Sequence, residues 1–375
     1  MRILVTGGAG FIGQHLSRSL LDQNQEITII DNFLPQVHGD LRELPVDLAK
    51  NVRLVIGDVA DPIAMQNALE GVDRIVHLAA ETGTGQSMYE VGQYARTNLM
   101  GTAQLFEVLT KMPKRTVERV VVASSRAVYG EGAYQCGQDG VVYPLPRSSV
   151  EKQAREFDPL CPICGGVCSA VATPENSPAQ PSSFYGLTKL TQEQMVLLFG
   201  QVLAIPSVAL RYQNVFGPGQ SLLNPYTGIL AIFSNLARVG QPIRIFEDGA
   251  ESRDFVYIDD VVAATTSSLL APIEGCHSLN VGSDERTTVL DVAEQINEYF
   301  GGRSVVQITG AFREGDIRHG FADLTKAREI LAYQPAWKFK QGLKRFLVWA
   351  NESRPSTDGY EHSLQEMRDR GLLHD

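Results

Sequence analysis

A tyrosine and a lysine stand four positions apart in the stretch "YGLTK", at Tyr185 and Lys189. The surrounding residues predict a helix, and residues four apart share one face of a helix. Free tyrosine has a pKa of about 10, which is too high for an effective base at neutral pH. A nearby ammonium group favours the phenolate and lowers that pKa. The pair therefore predicts a proton-abstracting tyrosine that a lysine assists.

Two hydroxyl groups stand at the end of a predicted strand further upstream. The apolar run "ERVVVA" leads directly into "SSRAVYG", which contains Ser124, Ser125 and Arg126. An apolar β-branched run is typical of a buried strand, and ligands of open parallel sheets bind where such strands end. A hydroxyl at this place could hydrogen-bond a substrate oxygen beside the phenolate, and Ser124 and Ser125 both offer one.

Short apolar segments alternate with helical patterns over the first 125 residues. This order predicts an α/β fold of the Rossmann type, a doubly wound parallel sheet buried on both faces. Shorter strands and helices in the last third predict a smaller α/β C-terminal lobe for the substrate. The predicted parts are a cofactor domain of residues 1–217 plus about 242–270, an insertion within it at 131–182, a substrate lobe of 218–241 plus 271–350, and a polar tail at 351–375.

The stretch "VTGGAGFIG" follows the first predicted strand and spaces Gly7, Gly10 and Gly13 as G-x-x-G-x-x-G. Glycines at this spacing allow a tight turn and let the backbone approach a pyrophosphate at the helix N-terminus. Asp31 ends the second predicted strand. A carboxylate there can accept hydrogen bonds from both ribose hydroxyls and repels a 2′-phosphate, so it favours NAD over NADP.

Further candidates for NAD binding lie beside the glycine turn and after the next strands. Asp58 follows the third strand, where it could reach the adenine, and the small residues of "HLAA" end the fourth strand. Asn98 lies in a predicted helix, where a structural role is the alternative. The predicted NAD-binding residues are Gly7, Gly10, Phe11, Ile12, Gly13, Asp31, Asn32, Asp58, Val59, Leu78, Ala79, Ala80, Asn98, Tyr185 and Lys189.

Composition excludes several classes of function. The chain of 375 residues is 43% hydrophobic and 20% charged, which is typical of a globular protein. Its net charge of −10 gives no general basic surface for nucleic acid. No secretory signal and no uncharged apolar stretch of membrane-spanning length is evident, and five cysteines do not make a disulfide scaffold. We therefore expect a cytoplasmic protein without nucleic-acid or membrane partners.

These motifs, together with "RYQNVFGPGQ" and "RDFVYIDDV", come in the order of the extended short-chain dehydrogenase/reductases. From residue 1 to about 350 the chain resembles the NAD-dependent sugar-nucleotide epimerase/dehydratase family. The resemblance implies a nucleotide-sugar substrate, a homodimer paired through the helices around 94–111 and Tyr185, and a place in bacterial surface-polysaccharide synthesis. It implies Ser125, Tyr185 and Lys189 as catalytic residues. The implied substrate-binding residues are Thr82, Ser125, Arg126, Asn214, Arg253, Arg313 and Asp316.

Arg126 and Ala127 discriminate among the reactions of this family. Its 4,6-dehydratases carry an Asp-Glu pair directly after the catalytic hydroxyl residue, and here Arg126 and Ala127 occupy those two places. Arginine stays protonated near neutral pH and alanine transfers no proton, so the machinery for removing water is missing. We therefore expect C4 epimerisation through a transient 4-keto sugar.

The substrate is suggested by three further features: "AAETGTGQSMYE", "SSRAVYGEGAY" and the cysteine-containing insertion. They resemble the branch of the family that acts on dTDP-L-rhamnose and gives dTDP-6-deoxy-L-talose. UDP-glucose/UDP-galactose epimerisation is the neighbouring alternative. A net reductase, which would consume NADPH and is disfavoured by Asp31, and a non-catalytic nucleotide-binding protein also remain open.

The insertion carries a possible metal motif. "CPICGG" places Cys161 and Cys164 in a C-x-x-C spacing, and "YQCGQDG" places Cys136 three residues before Asp139. This C-x-x-D…C-x-x-C pattern resembles a zinc ribbon with aspartate in one ligand position, and Cys168 is a possible substitute ligand. The hypothesis is a structural zinc near the mouth of the substrate site. Free thiols in a loop are the alternative.

Overall fold

The computed structural model describes residues 1–222, 224, 226, 228–353, 355 and 358–375. In its first part, strands and helices alternate as predicted. These elements are β1 Arg2–Thr6, α1 Phe11–Asp22, β2 Glu26–Asp31, α2 Pro35–His38, α3 Val46–Ala49, β3 Val52–Ile56, α4 Pro62–Ala68, β4 Arg74–His77, α5 Thr84–Ser87, α6 Val91–Tyr94, a π-helical segment Ala95–Met100, α7 Gly101–Lys111, β5 Arg119–Ser125 and a 3₁₀ turn Arg126–Tyr129.

The insertion contains only short elements, and the part after it combines short strands with several helices. The insertion contains β6 Tyr134–Cys136, β7 Gly140–Val142, α8 Ser149–Gln153 and β8 Cys168–Ala170. The elements after it are α9 Phe184–Val202, β9 Ser207–Tyr212, β10 Asn214–Phe216, α10 Ile229–Val239, β11 Ile243–Ile245, β12 Ser252–Arg253, β13 Phe255–Tyr257, α11 Ile258–Leu270, β14 Cys276–Val281, β15 Thr287–Thr288, α12 Val289–Tyr299, β16 Val306–Ile308, β17 Phe312–Arg313, β18 His319–Gly320, α13 Thr325–Leu331, α14 Phe339–Asn351, α15 Asp358–Asp369 and β19 Leu373–His374.

The central sheet is parallel, with strand order β14-β9-β5-β4-β1-β2-β3. The predicted Rossmann-type fold is confirmed. Because β1 lies between β2 and β4, the chain reverses its direction of winding there. Such a reversal leaves a crevice at the carboxyl ends of the strands, where ligands of this fold bind.

Apolar side chains cover both faces of this sheet. On β1, Ile3 and Val5 belong to one core, whereas Leu4 belongs to the other. Helices α1 and α11 cover the first face, and α4, α7 and α9 cover the second. Burial on both faces explains why the strands of the sequence are nearly uniformly apolar.

The edges of the predicted parts differ from the observed topology. Strand β14 extends the central sheet beside β9, although residues after 271 were assigned to the substrate lobe. Strand β11 instead pairs with β16 in the smaller lobe, although 242–270 was assigned to the cofactor domain. A strand of three to six residues is too short for its hydrophobic pattern to indicate which strand it pairs with. Only the observed pairing shows to which sheet it belongs.

The described residues of the insertion and of the tail both contain helices and strands. Strands β7, β6 and β8 form a small antiparallel sheet within the insertion. The polar tail contains α15 and also β19, which pairs with β17. The side chains of Leu364 and Met367 on α15 and of Leu373 on β19 are buried there in one cluster, against which Phe246 and Tyr360 pack. Among the described residues, no helix combines the length and the apolar character needed to cross a bilayer.

Candidate active site

A cleft of about 550 Å³ opens at the carboxyl ends of the central strands. This size is typical of small-molecule sites. Most of the residues predicted for cofactor, substrate and catalysis line it together. They are Gly7, Gly10, Phe11, Ile12, Gly13, Asp31, Asn32, Val59, Leu78, Ala79, Ala80, Thr82, Ser125, Arg126, Tyr185, Lys189 and Asn214.

The turn between β1 and α1 has no room for side chains at its glycines. Gly7 has a φ of 65°, and a Cβ atom there would lie 2.9 Å from the Cα atom of Ala79. A Cβ atom on Gly13 would lie 2.6 Å from the Cα atom of Gly8. Helix α1 begins after Gly10 without a side-chain cap, so its first N–H groups face the cleft unblocked. This cradle fits the pyrophosphate of a dinucleotide.

Asp31 is held in place by the backbone at the end of β2. Its Oδ2 accepts a hydrogen bond from the amide of Ala9 at 3.0 Å, and its Oδ1 accepts one from the amide of Phe33 at 2.9 Å. The Nε2 of His38 lies 3.6 Å from the same Oδ1. The carboxylate thus lies at the cleft wall in a fixed orientation, as the ribose-binding hypothesis requires.

Asp58 and Asn98 are not among the residues that line the cleft. Asp58 accepts hydrogen bonds from the guanidinium of Arg96 at 3.1 Å and from the amide of Ala60 at 2.8 Å. Its predicted contact with adenine therefore remains a proposal that the geometry does not favour.

Asn98 is buried in the π-helical segment between α6 and α7. Its Oδ1 accepts from the amide of Glu81 at 2.8 Å, and its Nδ2 donates to the Oγ1 of Thr188 at 2.9 Å. Asn98 therefore joins the loop after β4 to α9, which corresponds to the structural alternative. Asn98 makes these contacts from a π-helical turn, a feature that is frequent at functional sites.

Helix α9 places Tyr185 and Lys189 on the cleft. Its N-cap is Ser183, whose Oγ accepts a hydrogen bond from the amide of Gly186 at 3.1 Å. A Cβ atom on Gly186 would lie 2.5 Å from the carbonyl oxygen of Ala127. Only glycine permits this approach, which brings the start of α9 against the turn that follows Ser125.

The charges around Tyr185 oppose the effect of its burial. Burial raises the pKa of Tyr185 above its ordinary value, whereas the nearby hydroxyl of Ser125 and the positive charge of Arg126 act to lower that pKa. Burial also lowers the pKa of Lys189 to about 7, against the opposing effect of Glu193. Both groups therefore titrate in a desolvated site where a nearby charge has a strong effect.

A buried polar chain behind Lys189 was not predicted. The ammonium of Lys189 donates to the Oε1 of Gln192 at 2.8 Å, and the Nε2 of Gln192 donates to the Oγ1 of Thr102 at 2.8 Å. Thr102 and Thr6 contact the two ring nitrogens of His77 at 2.9 and 2.7 Å. Burial lowers the pKa of His77 to about 3, so this ring is neutral. Gln192 lies three residues after Lys189, and that helical spacing could have identified it.

Arg126 lies in the cleft wall with incomplete hydrogen bonding. Its Nη1 is buried and has no hydrogen-bond partner within the described part of the chain. Burial lowers the pKa of Arg126 to about 9, and the positive charge of Arg253 lowers it further. A buried guanidinium nitrogen without an acceptor is costly, so this group favours a ligand that supplies one.

The other predicted substrate-binding charges lie beyond the cleft lining. Arg253 donates to the carbonyl oxygens of Ile317 at 2.8 Å and Arg318 at 3.0 Å. The Nε of Arg313 donates to the Oδ2 of Asp316 at 2.8 Å. Burial acts to raise the pKa of Asp316, but the charges of Arg313, Arg253 and Arg126 bring it below its usual value. The three arginines and this aspartate therefore form one charged group.

Two further features of the cleft were not predicted: the side-chain oxygens of Gln213 and Gln220 beside the predicted Asn214, and the approach of α15. The buried side-chain oxygens of Gln213, Asn214 and Gln220 accept no hydrogen bond from any residue that the structure describes, and all three residues line the cleft. Helix α15 also reaches the cleft, because the Oε2 of Glu366 accepts from the hydroxyl of the cleft residue Tyr226 at 2.6 Å. The apolar spacing of Leu364 and Met367 was the available signal for this helix.

Residues 3–150 and 164–282 match the profile of the NAD dependent epimerase/dehydratase family. The chain belongs to this family. The predicted family and the predicted class of enzyme are thereby confirmed.

Several relatives of this family member resemble it along nearly their whole length. It is 39% identical over 350 residues to a dTDP-L-rhamnose 4-epimerase of Burkholderia thailandensis, covering 93% of this chain and 94% of the relative. It is 31% identical to an uncharacterised UDP-glucose epimerase of Bacillus subtilis, covering 93% of this chain and 98% of the relative. A UDP-glucuronic acid 4-epimerase mutant of Bacillus cereus, solved with UDP-4-deoxy-4-fluoro-glucuronic acid and NAD, is 26% identical with a TM-score of 0.75, covering 94% of this chain and 99% of that one.

Proposed function

We propose that this enzyme inverts C4 of dTDP-L-rhamnose to give dTDP-6-deoxy-L-talose, with NAD as its bound cofactor. The observation that carries the reaction is that Tyr185, Lys189 and Ser125 line one cleft with the glycine cradle. The identity of 39% to a dTDP-L-rhamnose 4-epimerase supports the substrate. UDP-glucose/UDP-galactose epimerisation is the second candidate, supported by the relative named as a UDP-glucose epimerase.

The cradle and Asp31 would hold NAD, which supplies the reversible oxidation when it is bound. Tyr185, as the phenolate, accepts the proton of the C4 hydroxyl while the Oγ of Ser125 hydrogen-bonds the same oxygen. The ammonium of Lys189 stabilises the phenolate. After the 4-keto sugar has turned over in the cleft, Tyr185 returns the proton to the oxygen at the inverted carbon. The reaction consumes no external reductant.

The turn after Ser125 argues against dehydration. Ala127 acts through its backbone, because its amide donates to the Oγ of Ser125 at 3.2 Å and its carbonyl faces Gly186. Arg126 is half-buried beside Tyr185 and is a cation at neutral pH. Neither residue can supply the acid and base that removal of water across C5 and C6 requires.

The direct test is incubation of the purified enzyme with dTDP-L-rhamnose and no added reductant, followed by NMR of the product. We expect a sugar inverted at C4, in equilibrium with the substrate. Turnover of UDP-hexoses alone would contradict the substrate, and accumulation of a dehydrated sugar or a requirement for NADPH would contradict the reaction.

Replacing Tyr185 with Phe distinguishes an enzyme from a nucleotide-binding protein. We expect turnover to fall about 10²–10⁴-fold, because proton transfer is lost, while dTDP-sugar binding stays close to the wild-type value. An unchanged turnover rate in Tyr185→Phe would show that Tyr185 does not transfer the proton.

We further propose a homodimer that uses α7, α9 and the π-helical segment, and a role of the product in polysaccharide synthesis. Met100, Leu187, Leu198 and Val202 expose apolar side chains on these elements. Within one subunit α7 and α9 already pack together, since the rings of Phe106 and Phe199 stack at 4.7 Å. Leu187→Glu should convert a dimer to a monomer in sedimentation, and a monomeric wild-type enzyme would contradict the proposal.

A further inference from the structure

Two loops of the insertion bring four potential metal ligands together. Cys136 and Asp139 come from the turn between β6 and β7, whereas Cys161 and Cys164 come from the loop before β8. Their ligand atoms all lie within 4.8 Å of one another. The Sγ atoms of Cys136 and Cys164 are 3.6 Å apart, and the Oδ2 of Asp139 lies 3.5 Å from the Sγ of Cys136 and 3.1 Å from the Sγ of Cys161.

The two loops share the same internal hydrogen bond. The amide of Gln138 donates to the Sγ of Cys136 at 3.4 Å, and the amide of Ile163 donates to the Sγ of Cys161 at 3.5 Å. In each loop the donor is therefore two residues after the first ligand. Such N–H donors stabilise a thiolate, the form in which cysteine binds a metal.

Both loops also turn at the same place. Gly140 follows Asp139 with a φ of 75°, and Gly165 follows Cys164 with a φ of 71°. A left-handed residue directly after the second ligand turns the chain away from the shared point. The two loops are far apart in the sequence, yet they have the same local geometry around the four potential ligand atoms.

We propose that Cys136, Asp139, Cys161 and Cys164 bind one Zn²⁺ ion. Zinc–sulfur bonds of about 2.3 Å in a tetrahedron require ligand atoms roughly 3.5–3.8 Å apart, close to the observed spacings. Three soft thiolates with one carboxylate favour zinc over magnesium or calcium. Four protein ligands leave no open position, so the ion is structural.

Cys168 lies outside this group. It is opposite Cys136 in the pairing of β6 with β8, but its Sγ contacts the carbonyl oxygen of Gly166 at 3.6 Å. The substitute role considered for Cys168 is therefore not needed. Among the described residues, the fifth thiol, Cys276, lies on β14 in the central sheet and provides a natural control.

The chain just before Cys136 contacts the substrate lobe. Glu131, just before β6, accepts from Arg147 at 2.9 Å and from the backbone amide of Arg318 at 2.8 Å. Arg147 also pairs with Glu247 of the lobe at 2.9 Å. The carbonyl of Arg318 in turn accepts from Arg253. Zinc would hold the insertion in the conformation that supports this chain of contacts.

The test is metal analysis of the full-length protein, purified without chelator. We expect about one zinc per wild-type chain and one per chain of Cys276→Ser. Cys164→Ser should lose most of the zinc and melt at a lower temperature. Under about 0.1 zinc per wild-type chain, iron in its place, or full retention by Cys164→Ser would overturn the proposal.

A second measurement does not depend on a folded variant. Titrating the wild-type protein with an organomercurial in the presence of a zinc-sensitive dye should release about one zinc as three thiols react. Thiols that react without zinc release would contradict the site. Tyr185→Phe should keep its zinc, so loss of epimerase activity and loss of the metal are separate outcomes.

Discussion

The ammonium of Lys189 donates a hydrogen bond to the Oε1 of Gln192 at 2.8 Å, three residues along the same helix. Both side chains are buried, and burial lowers the pKa of Lys189 to about 7. Gln192 is therefore the neutral acceptor that stabilises the ammonium in a desolvated pocket. In the proposed mechanism this ammonium stabilises the phenolate of Tyr185, so activity near neutral pH should depend on the protonation of Lys189.

We predict that Gln192→Leu lowers kcat/KM at pH 7 and above. Loss of the acceptor destabilises the charged lysine, so the pKa of Lys189 falls further and less ammonium remains at neutral pH. A hydrogen bond to a charged group is worth about 1.5–3 kcal/mol, so turnover at pH 7 should fall roughly tenfold. Gln194→Leu, an exposed glutamine on the same helix, is the control. Superimposable profiles for Gln192→Leu and wild type would show that Lys189 does not depend on Gln192.

Arg126 should increase the amount of Tyr185 phenolate that is present at neutral pH. Its positive charge acts to lower the pKa of Tyr185, so Arg126→Gln raises that pKa. Because the proposed mechanism uses the phenolate, the kcat/KM of Arg126→Gln should fall. Arg126→Lys keeps the charge and should lie between wild type and Arg126→Gln. Kinetics across pH 5–10 measure the change, and a kcat/KM of Arg126→Gln equal to that of wild type at every pH would show that the charge has no effect on Tyr185.

Asp31 should determine the choice between NAD and NADP. Asp31→Asn removes the charge that repels a 2′-phosphate and weakens the acceptor for the ribose hydroxyls. We expect NAD affinity to fall about tenfold and the preference for NAD over NADP to narrow. Calorimetric titration of cofactor-free protein with each dinucleotide measures both changes. Asp58→Asn should have a smaller effect, because Asp58 pairs with Arg96 outside the cleft lining. The reverse ranking would assign the ribose contact to Asp58.

Arg147 should stabilise the fold. Its guanidinium is buried between Glu131 and Glu247, so Arg147→Met leaves the buried carboxylate of Glu131 without a counter-charge, whereas Glu247 keeps Arg318 at 3.1 Å. Breaking a buried pair in this way lowers the free energy of unfolding by about 3–5 kcal/mol. Urea unfolding measures the change. The exposed pair of Arg18 with Asp47 is the control, and Arg18→Gln should cost under about 1 kcal/mol. An equal effect of the two variants would mean that the buried network does not stabilise the protein.

Local sequence patterns were enough to predict the class of fold and most of the residues that line the candidate site. Gly7, Gly10 and Gly13 define their turn within seven residues, and Tyr185 and Lys189 share a helix face by their spacing alone. The nearly uniform apolar character of the strands predicted a sheet buried on both faces. These features were predictable because each depends on residues that are close in the chain.

Only the tertiary structure decided which distant groups meet. It assigned β14 to the central sheet and β11 to the smaller lobe, paired Asp58 with Arg96, and brought α15 to the cleft. It also joined Cys136 and Asp139 to Cys161 and Cys164. The partner of a short strand or of a single charged residue cannot be predicted from the local sequence, because such contacts depend on how the whole chain packs.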